Sequence, residues 1–174
     1  MIRHYNALAR TLSHAAPHLL PLLARLVFAG VLLGYFWSSA KTKLAGPFTP
    51  SDGAYAQIFP RAFEAAGYDS TQLGPLHWAV AMAGSYAEFA LPLLIVIGLL
   101  TRLAALGMMG FVLVQSATDI LGHGVAGDDL GRWFDAASGA LILDQRALWM
   151  MLFCVPFALG AGALSVDRFL QNHQ

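Results

Sequence analysis

Leu76 to Leu100 reads LHWAVAMAGSYAEFALPLLIVIGLL, an apolar run of about 25 residues, the length of a membrane-spanning helix. Glu88 sits near its middle. A carboxyl at bilayer depth is costly, roughly 2.5–3.5 kcal/mol on insertion scales for the aspartate analogue. Glu88 should therefore face other helices or a polar cavity, not lipid. The run predicts a membrane protein with a polar feature inside it, and function is expected at that feature.

Composition agrees. Apolar residues make up 57% of the 174-residue chain and charged residues 11%, whereas soluble domains carry about 25% charge. Mean hydropathy is +0.60. Ten basic residues balance ten acidic ones, so the basic footprint of a nucleic-acid binder is missing. Cys154 is the only cysteine and lies in an apolar run, where a thiol is expected to be buried and inert.

Three further runs complete a single domain over residues 1–174, an all-α, integral-membrane, antiparallel four-helix bundle. The spans are expected at about 19–40, 76–100, 103–121 and 147–166, each near the length a bilayer needs. The N-terminus is weakly basic and leads into the first run, which is read as an uncleaved span rather than a signal peptide. Thr101-Arg102 is the whole expected connection between spans two and three, which must pair tightly. Long connections follow spans one and three. In the first, Pro60 to Gly67 (PRAFEAAG) has proline and glycine where a short helix starts and stops. The second, glycine- and aspartate-rich, is expected to be mostly turns.

Four spans place both termini and the short turn on one side and the long loops on the other. Lysine and arginine, which set topology, divide five to five: Arg3, Arg10, Arg25, Arg102 and Arg168 against Lys41, Lys43, Arg61, Arg132 and Arg146. The orientation adopted here has cytoplasmic termini, in a bacterial inner membrane. Trp37, Trp78, Trp133 and Trp149 fall near span ends, as interfacial anchors do.

Several polar residues lie at or near membrane depth. Arg25, inside span one, differs in depth from Glu88 by about 8 Å at 1.5 Å per residue. It is expected either to snorkel outward or to turn in as the nearest cation to Glu88. Lys43 follows Arg25 by 18 residues, about five helical turns, so both share one face if the helix runs that far. His77, Ala81, Gly84 and Glu88 form one stripe on span two. Asp119 and His123, four apart near the end of span three, are expected to gather with His77 and Lys43 at the loop-side face. Arg102 lies about 21 Å along the helix from Glu88, too far to pair. No zinc-type ligand spacing is present. Gly160-Ala-Gly162, placed inside span four, suits close packing against a neighbour.

Two stretches carry a family resemblance. Glu88 to Leu106, EFALPLLIVIGLLTRLAAL, combines an intramembrane glutamate with a Leu-Thr-Arg-Leu-Ala-Ala block, and Gly160 to Leu170 reads GAGALSVDRFL. With Arg25 and Lys43-Leu44, they make the chain resemble the DoxX family of small four-span bacterial membrane proteins. Phe89 and Ala90 depart from the glycines that often follow the glutamate in that family. The resemblance implies a membrane subunit accessory to a quinone-linked redox, oxidative-stress or metal-handling system, often beside a partner protein.

Three functions remain open. The first is an accessory subunit docking an oxidoreductase partner, with quinone as the cofactor and Glu88, Arg25, His77, Lys43, Asp119, His123 and Arg102 as the intramembrane polar set. There Glu88 exchanges protons or holds a headgroup while Arg25 tunes its charge. The second is a carrier of a small solute, metal ion or lipid, which four spans would support only as a homodimer. The third is a purely structural partner in which Glu88 glues helices. No phosphate loop, dinucleotide fingerprint or nucleophile elbow is present, so no complete enzyme is expected in this chain alone.

Overall fold

The computed structural model describes residues 1–173. Helix accounts for 74% of the residues and strand for 3%, which makes the class all-α. Four helices are long and apolar enough to cross a membrane: span 1, Ile2–Lys43; span 2, Pro75–Ile97; span 3, Thr101–Gly122; and span 4, Leu141–Leu159. Span 1 packs on spans 2 and 4, span 2 on span 3, and span 3 on span 4, closing an antiparallel ring. Val31, Leu106, Leu113, Leu148 and Met151 project outward, as a lipid-facing surface requires. Cys154 is also exposed, so it lies on the outer face of span 4 rather than in the interior expected of it.

The interior is aromatic and tightly fitted. Phe28, Leu32 and Phe36 of span 1 meet Ile95, Ala104, Met108, Val112 and Phe153, with the Phe28 and Phe153 rings edge to face at 5.6 Å. Lipid is as apolar as these side chains, so dispersion and shape, not water exclusion, hold them together. A wider π-type turn at Ala29–Leu33 interrupts span 1. Steps of four residues drift by about 40° in a pure α-helix. The π turn absorbs that drift, so Phe28, Leu32, Phe36, Ala40 and Lys43 are all buried.

The helix ends differ from the sequence expectation in ways that build the site. Span 1 continues past Ala40 to Lys43. Span 4 starts earlier, at Leu141, and stops at Leu159, because Gly160 and Gly162 adopt φ values of +83° and +78°. Those glycines end the helix instead of lying within it. Gly162 still permits close approach: a Cβ there would stand 3.1 Å from the His18 carbonyl oxygen. The turn between spans 2 and 3 is Gly98–Leu100, not Thr101-Arg102, which already belong to span 3. Gly98, at φ +71°, accepts the left-handed conformation that ends span 2.

The first long connection is ordered. Leu44–Gly46 and Thr49–Pro50 pair as a small antiparallel ribbon, and helices follow at Asp52–Ile58 and Pro60–Ala65. Ser51 caps the first of these through Ala54 N–H, and Pro60 starts the second. Ala54, Tyr55 and Phe63 pack on Ala81, so this layer covers the early turns of span 2. Burial raises the Tyr55 phenol above its ordinary pKa.

Candidate functional site

The span 1 extension carries Lys43 to Glu88. Lys43 Nζ donates to Glu88 Oε1 and Oε2, both at 2.8 Å, and to Ser39 Oγ at 2.5 Å. All three ammonium donors are thereby satisfied. Ser39 Oγ adds a weaker contact to Glu88 Oε1 at 3.4 Å. Both ionic residues are buried. Glu88 is central in span 2 yet level with the end of span 1. Counting along span 2 alone therefore overstates its depth.

The expected Arg25–Glu88 pairing is corrected by this geometry. Arg25 is 5% exposed, which excludes snorkelling. Its guanidinium turns toward the terminal end of the bundle. Nε donates to the Ile95 carbonyl at 2.9 Å and Nη2 to that of Val96 at 2.7 Å. Nη1 donates to Ala161 and Leu164 carbonyls at 2.7 and 2.6 Å. A helix C-terminus leaves carbonyls unpaired and carries partial negative charge, and a planar guanidinium suits several such acceptors at once. Arg25 is the clasp joining spans 1 and 2 to the segment after span 4.

Asp167 completes that clasp. Its carboxylate accepts from Leu100 N–H at 2.7 Å and Thr101 N–H at 3.0 Å, while its own N–H donates to the Gly98 carbonyl at 2.8 Å. A Cβ on Gly98 would lie 2.6 Å from Ser165 Cβ and 2.8 Å from Arg25 Cζ. The two sequence blocks that carried the resemblance thus interlock.

At the loop end, Arg146 forms a second buried ion pair, Nη2 to Asp119 Oδ2 at 2.6 Å, and Nη1 donates to Ser116 Oγ at 3.1 Å. In the sequence alone Arg146 reads only as a loop-side charge. Opposite charges at the adjoining ends of spans 3 and 4 were the available signal. His123 Nε2 lies 3.1 Å from the Gln57 carbonyl, tying span 3 to the Asp52–Ile58 helix.

Between spans 2 and 3 runs a groove with a cavity of about 430 Å³. Its floor is made of small residues, among them Ala83, Gly84, Ala87, Gly107 and Gly110, and Leu91, Phe111 and Val114 add apolar walls. Lys43 and Glu88 line it, with Gln57, Gln115, Asp119 and His123. Gln115 Nε2 donates to Tyr35 Oη at 3.1 Å, but Gln115 Oε1 is buried without a partner. Of the sequence-predicted set, Glu88, Lys43, Asp119 and His123 share this groove. Arg25 and Arg102 belong to the opposite end of the bundle. His77 does not line the groove; its ring lies 4.8 Å from that of Phe59. Among the described residues no group of three or more histidine, cysteine or acidic side chains is placed to hold a metal ion.

The family model described as DoxX matches residues 20–119. The chain belongs to the DoxX family. The match contains Arg25, Lys43, Glu88, Arg102 and Asp119, whereas Arg146 and the Gly160–Leu170 block of this DoxX protein lie beyond it. No curated protein and no solved structure matches the chain. With its four apolar helices, this membership makes it a multi-pass membrane protein associated with the lipid bilayer.

Proposed function

We propose that this DoxX protein is an accessory membrane subunit that holds the headgroup of a quinone in the groove between spans 2 and 3, on behalf of an oxidoreductase partner. In this reading it sits in a bacterial inner membrane with cytoplasmic termini. The carrying observation is that the buried Lys43–Glu88 pair lines a groove whose floor and walls are mostly small and apolar residues. A pair that served only as glue would need no cavity beside it.

The residues present fit such a ligand. Lys43 would exchange its Ser39 contact for a carbonyl oxygen of the ring, Glu88 is a proton acceptor beside it, and Gln115 Oε1 is an unpartnered acceptor for a hydroxyl. The small-residue floor admits a flat ring, and the apolar walls suit an isoprenoid tail. A bound quinone would supply two-electron, two-proton carrier chemistry. The chain contributes orientation through Lys43 and a carboxylate able to hold a proton, with electrons supplied by the partner.

The test is binding of a short-tailed quinone to the purified protein in nanodiscs. Saturable binding is expected, weakened by about tenfold or more, some 1.4 kcal/mol, in Glu88→Gln. Equal binding by wild type and Glu88→Gln, or none by either, would favour the purely structural reading. That reading has one supporting observation: both Glu88 oxygens are already paired within the protein.

A further inference from the structure

The terminal side of the bundle holds a second concavity, an open cleft of about 660 Å³ among Pro17 and His18 of span 1, the start of span 3, the end of span 4 and the helix Val166–Gln171. Arg102 and Arg168 line it together with His18. Neither arginine has a carboxylate within ion-pair distance among the described residues. The only carboxylate lining the cleft among the described residues, Asp167, has both oxygens engaged by Leu100 and Thr101 N–H groups.

Two further observations point to a missing acceptor. The first turn of a helix leaves N–H groups that no helical carbonyl can reach. Asp167 serves Leu100 and Thr101, but the N–H groups of Arg102 and Leu103 find no acceptor among the described residues. Thr101 Oγ1 is also buried and unpartnered, on a residue only 1% exposed. Free N–H groups at a helix start, a spare hydroxyl and two guanidinium forks are the donor set that a phosphate needs. Leu103 and Leu159 on the cleft wall are exposed, an apolar lip on the lipid-facing side.

We propose that this cleft binds the phosphate of an anionic phospholipid, with Arg102 and Arg168 on the phosphate and acyl chains descending past Leu103 and Leu159. The two arginines outweigh Asp167 by one charge, which selects a headgroup lacking a cation of its own. The site lies at the opposite end from the groove and does not depend on what the groove holds.

The test is lipid retention by native mass spectrometry, on the full chain extracted from bilayers holding equal phosphatidylglycerol and phosphatidylcholine. Wild type should retain phosphatidylglycerol preferentially. Arg102→Gln/Arg168→Gln should reduce that retention about tenfold. Arg168→Gln alone touches no hydrogen bond of the clasp and should reduce it about threefold, on the same scale; it decides the matter if the double variant does not fold. Inorganic phosphate should fail to displace the lipid. Undiminished retention in the folded variants, or equal retention of both lipids, would overturn the proposal. Displacement by inorganic phosphate would overturn the lipid assignment in favour of a free-anion site.

Discussion

Breaking the Lys43–Glu88 pair from one side should cost far more than removing it altogether. Glu88→Leu leaves the Lys43 ammonium buried with Ser39 as its one remaining partner, and Lys43→Met leaves a buried carboxylate with only the 3.4 Å Ser39 contact. Removing one member of a buried pair costs about 3–5 kcal/mol, whereas replacing both with apolar residues of similar volume is often close to neutral. Each single variant should therefore lose about 3–5 kcal/mol, and Glu88→Leu/Lys43→Met should stay within about 1 kcal/mol of wild type. The coupling, at least about 5 kcal/mol from these figures, would stand well above the interhelical polar contacts of membrane bundles, which average about 0.6 kcal/mol. Reversible unfolding in mixed micelles of increasing sodium dodecyl sulfate content measures it. Additive single losses in the double variant would refute the pairing argument. Glu88→Gln, which still accepts a hydrogen bond, should be milder than Glu88→Leu.

Other expectations come from the clasp and the groove. Arg25→Lys should fail to restore the stability lost in Arg25→Leu, since an ammonium cannot meet four carbonyls with the guanidinium geometry; both should lose at least about 3 kcal/mol in the same micelle assay, at about 1.5 kcal/mol or more per charged hydrogen bond. Gly98→Ala combines a left-handed backbone with the 2.6 Å contact to Ser165 Cβ and should cost upward of about 2 kcal/mol, read as a lower thermal midpoint in detergent. A Cβ on Gly110 meets nothing within 4 Å, so Gly110→Leu should keep the fold while filling the groove, weakening quinone binding about tenfold or more. Arg146→Gln should destabilise the chain measurably more than Arg61→Gln, an exposed substitution, because it leaves Asp119 without its partner.

The fold was largely legible because a bilayer demands long apolar helices, and the runs around Leu32, Leu94, Val112 and Phe153 announce them. Helix ends were less so. Nothing in Gly160-Ala-Gly162 alone distinguishes a packing motif from a stop; positive φ decided it. Depth misled most at Glu88. Its place in span 2 suggested Arg25, but span 2 overshoots span 1 at the loop end and brings Glu88 level with Lys43. The Arg25 acceptors are backbone carbonyls, which carry no side-chain signature in a sequence. His77 meets Phe59, which joins the Asp52–Ile58 and Pro60–Ala65 helices, a layer the sequence announces only as a short helix at Pro60–Gly67. Lys43, Asp119 and His123 could be assigned to the loop end because each falls at the end of a span.

Photoaffinity mapping would locate a quinone headgroup bound beside Glu88 in the groove between spans 2 and 3. An azidoquinone would be activated on the protein in nanodiscs and the labelled peptides sequenced. Label is predicted on the groove walls near Glu88, Gly110 and Gln115, suppressed by excess unlabelled quinone and by Gly110→Leu. Label scattered over the lipid-facing surfaces of all four spans, unchanged by competitor and by Gly110→Leu, would contradict it.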